Sequence, residues 1–423
     1  MSDVNFTRED IEIMAPVGSY ESLMAAVNAG ANSIYFGASN LNMRARSANN
    51  FDLDDVRKIV GICNENNVKS YLTVNTILYD NDLNKIHKLI DVAKEAGITA
   101  IIASDISPIL YARQNDVEVH ISTQCNISNI GAVKFYAQYA DVIVLARELT
   151  MRQVAKIYRQ IQEEDIRGPK GDLIKIEMFC HGALCMAVSG KCYISLHEQN
   201  SSANRGACLQ SCRKAYTVTE KESGNQLEVD NEYIMSPKDL CTIDFLDLLL
   251  KSGVRVLKIE GRARPAEYVK TVVEAYDKAV HAVIDGTYNE EFALAQKVKL
   301  ENVFNRGFWD GYYLGRRAGE WATAYGSQAK KRKVYIGKGT NYFSKLKVAE
   351  FLVESHDLSV GDEILITGPT TGAVQTTVKE IRVDLKPVQT AVKGESFSMP
   401  LDIVVRRSDK LYKLVKATPD FLQ

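Results

Sequence analysis

The sequence predicts a TIM-type (β/α)8 barrel that is followed by a small C-terminal all-β barrel domain. Up to about Gly261, eight short apolar or β-branched segments alternate with amphipathic helical patterns. More than seventy residues, which include a cysteine-rich insertion, interrupt this alternation once, between the seventh and eighth segments. From about Lys333 the pattern changes to short strands separated by turns, which indicates a separate β domain.

Several of the eight strand candidates are apolar on both faces, as parallel strands buried on both sides are. The candidates are Ile11 to Pro16, Ser33 to Gly37, Val68 to Val74, Ile98 to Ser104, Val117 to Thr123, Asp141 to Ala146, Leu173 to Phe179 and Val254 to Gly261. Gly30 and Gly97 stand where helix C-caps are expected. A doubly wound open sheet is the alternative, but no Gly-rich dinucleotide turn follows the first strand.

These patterns divide the chain into three predicted regions. The barrel takes residues 1–288 and carries the cysteine-rich insertion at 180–241. A helical connector follows at 289–332, and the β-barrel domain takes 333–423. Within the first region, a long helix is expected from about Pro265 to Asp285, directly after the eighth strand.

The composition is that of an ordinary globular enzyme, with 46% hydrophobic and 25% charged residues. The net charge of −1 provides no overall field toward nucleic acid or membrane, so any RNA contact requires a local basic patch. The N-terminal residues lack the apolar core of a secretory signal, and no apolar stretch approaches the ~20 residues of a membrane helix. We therefore expect a cytoplasmic protein without a membrane partner.

Six of the eight cysteines lie between Cys180 and Cys241. Disulfides explain such a cluster poorly in a reducing compartment, so metal ligation or catalysis is the better interpretation. The irregular spacing does not distinguish zinc from iron–sulfur, because thiolates suit both. Some cysteines can also be small buried hydrophobes, an alternative that fits Cys63, Cys125 and Cys180. The segment begins at the carboxyl end of a strand, where barrel enzymes carry out their chemistry.

The segment EMFCHGALCMAVSGKCYIS, residues 177–195, resembles the signature of the collagenase-like U-32 peptidase family. The downstream segments RGACLQSCRK, MSPKDLCTI, KIEGRARPAEYV and FNRGF also resemble family motifs, and the resemblance covers the whole chain. Similar proteins act in oxygen-independent hydroxylation: one branch forms 5-hydroxyuridine at the tRNA wobble position, another modifies ribosomal RNA, and a third serves ubiquinone synthesis. The length of this chain resembles that of the tRNA branch.

The resemblance implies a [4Fe–4S] cluster and prephenate as the hydroxyl donor. Carried over to this sequence, the cluster ligands are Cys185, Cys192, Cys208 and Cys241, and Cys212 competes for the fourth place. The implied partners are tRNA and the small-molecule donor, and an electron donor is a further candidate. Zinc is the alternative metal, in which case the chain would be a zinc-braced RNA-binding module.

A collagenase-like peptidase is a further alternative, because the family name implies one. The sequence contains no GxSxG nucleophile elbow and no HExxH zinc motif. Cys180 and His181 are sequence neighbours, which does not by itself make a nucleophile and base with an orienting third group. Hydroxylation is therefore the leading hypothesis.

Polar residues at strand ends complete the predicted site. The catalytic candidates are His181, Glu260, Arg262 and Arg147. The two arginines are candidates because guanidinium groups bind carboxylates, such as those of prephenate, through paired N–H donors. The alternative for Arg262 is an ion pair with Glu260, and for His181 a satisfied loop histidine.

Four further residues are the candidates for substrate binding: Asn75, Gln124, Arg205 and Arg213. Each has a simpler alternative as a helix cap or as part of a solvated charged surface. Glu177, on the seventh strand, can instead brace the barrel interior.

Overall fold

The computed structural model describes residues 6–46, 50–217, 221, 233–315 and 319–417. Its first sheet contains ten strands. They are β1 (Glu12–Pro16), β2 (Ser33–Phe36), β3 (Lys69–Val74), β4 (Ala100–Ala103), β5 (Glu118–Ile121), β6 (Val142–Val144), β7 (Lys175–Gly182), β8 (Asp239–Cys241), β9 (Val254–Ile259) and β10 (Phe308–Trp309).

Eight of these strands close into a parallel barrel. Strands β1 to β7 pair in chain order, β7 pairs in parallel with β9, and β9 pairs in parallel with β1. This closure confirms the predicted TIM-type fold. Each of the eight predicted strands is present, with ends that differ from the prediction by a few residues, as element boundaries commonly do.

Ten α-helices are present in the described part of the chain, most of them around the barrel. They are α1 (Tyr20–Asn28), α2 (Leu53–Glu65), α3 (Asp80–Glu95), α4 (Ile106–Gln114), α5 (Ile130–Tyr136), α6 (Met151–Glu163), α7 (Ile194–Gln199), α8 (Leu246–Lys251), α9 (Ala266–Ile284) and α10 (Glu290–Leu300). None of the helices that the structure describes is both long and apolar enough to cross a bilayer.

Helix α6 shows how local sequence sets these elements. Thr150 caps its first turn by accepting a hydrogen bond from the backbone N–H of Gln153, whose side chain reaches back to Thr150. Val154, Ile157 and Ile161 recur at helical spacing and are buried against the barrel. Burial of this apolar face, rather than propensity alone, stabilises the helix.

The cysteine-rich segment changes the seventh strand. Strand β7 continues to Gly182, beyond the predicted end at Phe179, because β8 pairs with it in antiparallel register, His181 opposite Cys241. Residues 218–220 and 222–232 of the predicted insertion lie outside the described residues. The predicted connector, 289–332, contains α10 and β10, and β10 pairs with β8; the region boundaries themselves stay predictions.

The C-terminal part is all-β, as predicted, with an antiparallel eight-stranded sheet in the order β15-β14-β20-β11-β12-β19-β16-β17 and a separate β13–β18 pair. The strands are β11 (Lys331–Phe343), β12 (Val348–Val353), β13 (Leu358–Ser359), β14 (Glu363–Gly368), β15 (Gly372–Thr377), β16 (Ile381–Val383), β17 (Lys386–Val388), β18 (Thr390–Ala391), β19 (Ser396–Pro400) and β20 (Lys410–Lys416). This sheet encloses its own apolar core.

Strand β15 docks this sheet onto the barrel beside α1 and α9. The contact is made by small side chains, among them Ala25, Ala266 and Ala373. Gly372 has φ 75°, and a Cβ there would lie 2.8 Å from the backbone nitrogen of Ala25. The close approach of strand and helix therefore requires glycine at this position.

The barrel interior contains an ion pair in addition to apolar side chains. Lys258 Nζ lies 2.6 Å from Glu177 Oε1, and their side chains are 6% and 0% exposed. His120 lies beside the same carboxylate, and its Nε2 is 3.3 Å from Glu118 Oε1. Glu177 thus braces the interior, the alternative that the sequence left open. Burial alone would lower the pKa of His120, but the neighbouring Glu118 and Glu177 carboxylates raise it.

We expect Lys258→Met to lower the free energy of unfolding by about 3–5 kcal/mol, because it leaves the Glu177 carboxylate buried without a cation. Urea denaturation followed by circular dichroism measures this. The matched control is Lys251→Met, which removes the more exposed Lys251–Asp247 pair (48% and 34%, 3.0 Å) and should cost no more than ~1 kcal/mol. Equal losses in the two variants would show that the interior pair does not stabilise the barrel.

Candidate active site

A cavity of about 220 Å³ opens at the carboxyl ends of the barrel strands, beneath the cysteine-rich segment. Cationic side chains dominate its lining. They are Arg44, Arg147, Arg213, Lys258, Arg262, Arg264 and Arg306. Glu260 is the one carboxylate among the described residues that line it. The cavity is therefore electropositive, as a site for an anionic small molecule is expected to be.

Three of these cations are paired with carboxylates. Lys258 bonds Glu177, Arg306 Nη1 lies 3.3 Å from Asp239 Oδ1, and Arg44 bonds Glu260. The Arg44 Nε donates to Glu260 Oε1 at 3.2 Å in addition to the bond from its Nη2. Burial would raise the pKa of Glu260, but Arg44, followed by Arg262 and Arg147, lowers it. Glu260 is consequently an anion at neutral pH.

Arg262 is held by neutral groups. Its Nη1 donates to Thr73 Oγ1 at 2.7 Å, and its Nη2 donates to Asn42 Oδ1. Burial lowers its pKa to about 10. The guanidinium makes no ion pair with Glu260, and both terminal nitrogens already have protein partners, so Arg262 is poorly placed to bind a ligand carboxylate.

Arg147 and Arg264 keep more of their donors free. Arg147 makes one side-chain hydrogen bond, from Nη2 to Ser189 Oγ at 2.8 Å. The Arg264 guanidinium stacks on the Phe304 ring at 3.4 Å from its centroid. Neither forms an ion pair with a described residue. These two side chains are the ones best placed to bind an anionic ligand through N–H donors.

The remaining wall is neutral and polar. Asn75 and Gln124 line it as predicted, and Asn75 Nδ2 donates to Gln124 Oε1 at 3.1 Å and to Ser122 Oγ at 3.2 Å. Arg213 also lines the cavity, but its Nη1 donates to the Pro237 carbonyl at 2.7 Å and its Nη2 to that of Leu184 at 2.5 Å. Arg213 therefore mainly holds the segment together.

Three thiols, those of Cys185, Cys208 and Cys212, line the cavity, and Cys192 lies beside Cys185 and Cys208. Cys185 is exposed, Cys192, Cys208 and Cys212 are half-buried, and the pKa of the Cys212 thiol, raised by burial to about 11, also responds to the other three. The pKa of Cys192 is likewise raised by burial. Among the described residues, no three His, Cys, Asp or Glu side chains are arranged as the ligands of a single ion.

Cys241, predicted as the fourth ligand, lies elsewhere. It is buried on β8 opposite His181, and Cys180 and Tyr276 are its neighbours. Strand pairing places Cys241 in the barrel wall, whereas Cys212 lies near Cys185, Cys192 and Cys208.

His181, predicted as catalytic, does not line the cavity. Its ring packs among Tyr268, Tyr276 and Phe308, and burial lowers its pKa to about 3. It lies inside the extended strand β7 rather than in a loop, which is why its side chain points into packing. This buried placement does not support the predicted catalytic role of His181.

Arg205 also lies outside this cavity, bonded to Asp82 at 2.8 Å. Sequence reasoning missed Arg44, which comes from the connection after β2. The sequence signal for Arg44 is its position in the connection after the second strand, at the same end of the barrel as the other polar candidates.

Comparison with known proteins gives the family context. The profile of peptidase family U32 matches residues 18–323. A protein of Porphyromonas gingivalis named collagenase is 59% identical over 407 residues, which is 96% of this chain and 98% of that protein. A tRNA hydroxylation protein P1 of Bacillus subtilis is 30% identical, over 85% of this chain and 83% of that protein. A 23S rRNA 5-hydroxycytidine synthase of Escherichia coli is 32% identical, over 73% of this chain and 46% of that protein. These names support an enzyme.

We expect iodoacetamide to alkylate the thiols of the metal-free native protein in an order set by burial. Cys185 should react first, whereas Cys63, Cys180 and Cys241 should react only after unfolding. The last three are buried, and burial raises their pKa, to about 12 for Cys63 and Cys241. Peptide mass spectrometry measures the order, and protein in guanidinium is the control. Labelling of Cys241 as fast as Cys185 would contradict its placement in the wall.

Proposed function

The chain belongs to peptidase family U32, and from that premise we propose that it is an iron–sulfur-dependent RNA hydroxylase. The proposed reaction forms 5-hydroxyuridine at the tRNA wobble position, with prephenate as the hydroxyl donor and without molecular oxygen. The composition of the cavity carries the proposal: unpaired arginines and clustered thiols meet at the catalytic face of a TIM-type barrel.

The arginines support an anionic donor. Prephenate carries two carboxylates, and each can accept paired N–H donors from a guanidinium. Arg147 and Arg264 are the proposed binding residues, because their donors are the least occupied by the protein. Arg262 and Arg213 contribute positive charge behind them, and Glu260 remains fixed on Arg44.

The thiols alone suit zinc and iron–sulfur alike, and the resemblance to hydroxylation proteins is what favours the cluster. The proposed ligands of the [4Fe–4S] cluster are Cys185, Cys192, Cys208 and Cys212, which lie near enough to one another for their charges to interact. When bound, this cluster would supply redox chemistry or Lewis acidity beside the donor.

The neutral wall supports a nucleobase as acceptor. Asn75 holds the Gln124 side chain through Oε1, and no described residue accepts from the Gln124 side-chain NH2, a donor that complements a carbonyl of uracil. The relatives named for tRNA and ribosomal RNA hydroxylation agree with an RNA partner. Ribosomal RNA or a quinone precursor remains an alternative acceptor for the same chemistry.

The second candidate function is proteolysis, which the 59% identical collagenase favours. The geometry of the cavity does not support it. None of the six histidines lines the cavity, so no nucleophile there has a histidine base. Glu260 has no second carboxylate beside it in the lining, so an aspartic-type pair is also missing among the described residues.

We expect Cys185→Ala, Cys208→Ala and Cys212→Ala to lose iron and RNA hydroxylation together, because each removes a proposed ligand. Cys241→Ala is the matched control and should keep both, since that thiol lies in the barrel wall. Iron and sulfide analysis of anaerobically purified protein measures the first property, and nucleoside mass spectrometry of tRNA measures the second.

Two outcomes would contradict this proposal. Unchanged iron and hydroxylation in Cys185→Ala would remove the cluster from the mechanism. Gelatin cleavage by iron-free protein, with no modified nucleoside formed by the iron-loaded protein, would assign the cavity to the peptidase alternative.

We expect Arg264→Met to raise KM for prephenate roughly 10- to 100-fold, because a charge-assisted hydrogen bond contributes ~1.5–3 kcal/mol. Arg262→Met should instead lower the unfolding free energy, because Thr73 and Asn42 lose their partner. Steady-state kinetics and urea denaturation separate the two effects. Arg57→Met, at an exposed pair with Asp54, is the control. An unchanged KM in Arg264→Met would exclude this arginine from donor binding.

A further inference from the structure

A second cavity, of about 300 Å³, lies beside the cysteine segment at the start of α3. We call it the lysine groove. Its polar lining consists of Ser39, Asn40, Asp82, Lys85, Lys88 and Arg205. It is separate from the candidate active site, and none of the residues that line it lines the first cavity.

The charges of the lysine groove are unbalanced. Asp82 is its one carboxylate, and this carboxylate already accepts hydrogen bonds from Arg205 Nη1 at 2.8 Å and from the Tyr79 backbone N–H at 2.9 Å. Lys85 and Lys88 are exposed, form no ion pair with a described residue, and lie on one face of α3 because they are three residues apart. Two cations are therefore left for an external anion.

An aromatic platform borders the groove. The Arg205 guanidinium lies over the Tyr79 ring at 3.9 Å from its centroid, yet the tyrosine is 61% exposed. Arg205 is held in place by Asp82 and by the Ile77 carbonyl, which accepts its Nη1 at 3.0 Å. Arg205 is therefore fixed on one side of the Tyr79 ring, and the tyrosine remains accessible to solvent on the other. Exposed aromatic and guanidinium planes of this kind stack on nucleobases of any sequence.

The platform is connected to the thiols through one residue. Asn204, next to Arg205, accepts a hydrogen bond from the Cys192 backbone N–H at 3.0 Å through Oδ1. Its own carbonyl accepts from the Ile77 N–H at 3.1 Å. The groove and the thiol cluster are therefore built from the same short stretch of the cysteine segment.

We propose that the lysine groove binds single-stranded RNA next to the base that enters the active site, with Lys85 and Lys88 on a backbone phosphate and the Tyr79–Arg205 stack against a neighbouring base. This inference rests on the proposed RNA hydroxylation. It favours unpaired RNA over duplex, because stacking on Tyr79 requires a base free of its helix.

Fluorescence anisotropy with a labelled RNA stem-loop that has a uridine-containing loop tests the proposal on the full chain. We expect Tyr79→Ala to weaken binding about tenfold or more, as loss of one base stack does, and Tyr79→Phe to retain it. Lys85→Glu should weaken binding and reduce the slope of log affinity against log salt by about 0.7 per lost phosphate contact. A blunt duplex of the stem alone should bind more weakly than the stem-loop.

The controls match each variant in type. Phe135→Ala removes another exposed aromatic, on α5, and Lys94→Glu reverses a lysine at the opposite end of α3; both should bind like the wild type. Thermal denaturation verifies that the variants are folded.

The outcomes separate this inference from the function on which it rests. If the wild type binds and hydroxylates RNA while Tyr79→Ala and Lys85→Glu bind within twofold of it, the groove assignment is wrong and the hydroxylase stands. If denatured collagen peptides displace the RNA and their binding depends on Tyr79, the groove is a polypeptide site and the proposal is overturned. If the wild type binds no RNA, both proposals fail.

Discussion

The ion pair between Lys258 and Glu177 joins the two strands that close the barrel, and the location of the site depends on that closure. Strands β7 and β9 pair in parallel although the cysteine-rich segment separates them in sequence. Each charge is almost fully buried, so neither is tolerated without the other. Because the strands meet there, the segment between them is confined to the carboxyl face and forms the roof of the cavity.

Closure also explains the charge of the cavity. Inside the barrel, Glu177 neutralises Lys258. At the carboxyl ends of the strands, Arg44 neutralises Glu260. Arg306 pairs with Asp239, but Arg147, Arg213, Arg262 and Arg264 form no ion pair with a described residue, so the cavity keeps a positive charge. An electropositive, partly enclosed site of this kind concentrates anionic substrates, whether a dicarboxylate donor or the phosphates of RNA.

The cysteine segment serves two surfaces. Cys185, Cys208 and Cys212 line the cavity, while Arg205 in the same segment faces α3 and stacks on Tyr79. In the function that we propose, the cavity binds a small anion and one base, and the groove binds a phosphate and a second base.

The sequence alone determined the barrel, the break in its alternation, the cysteine cluster and the polar strand ends, because these follow from local periodicity and composition. It did not decide which side chains meet. Cys212 rather than Cys241 joins the other thiols because β8 pairs with β7 and turns Cys241 into the wall. Arg262 is occupied by Thr73 and Asn42, residues far away in the chain. Such pairings depend on long-range strand register and packing, which no local pattern records, and only the tertiary structure decided them.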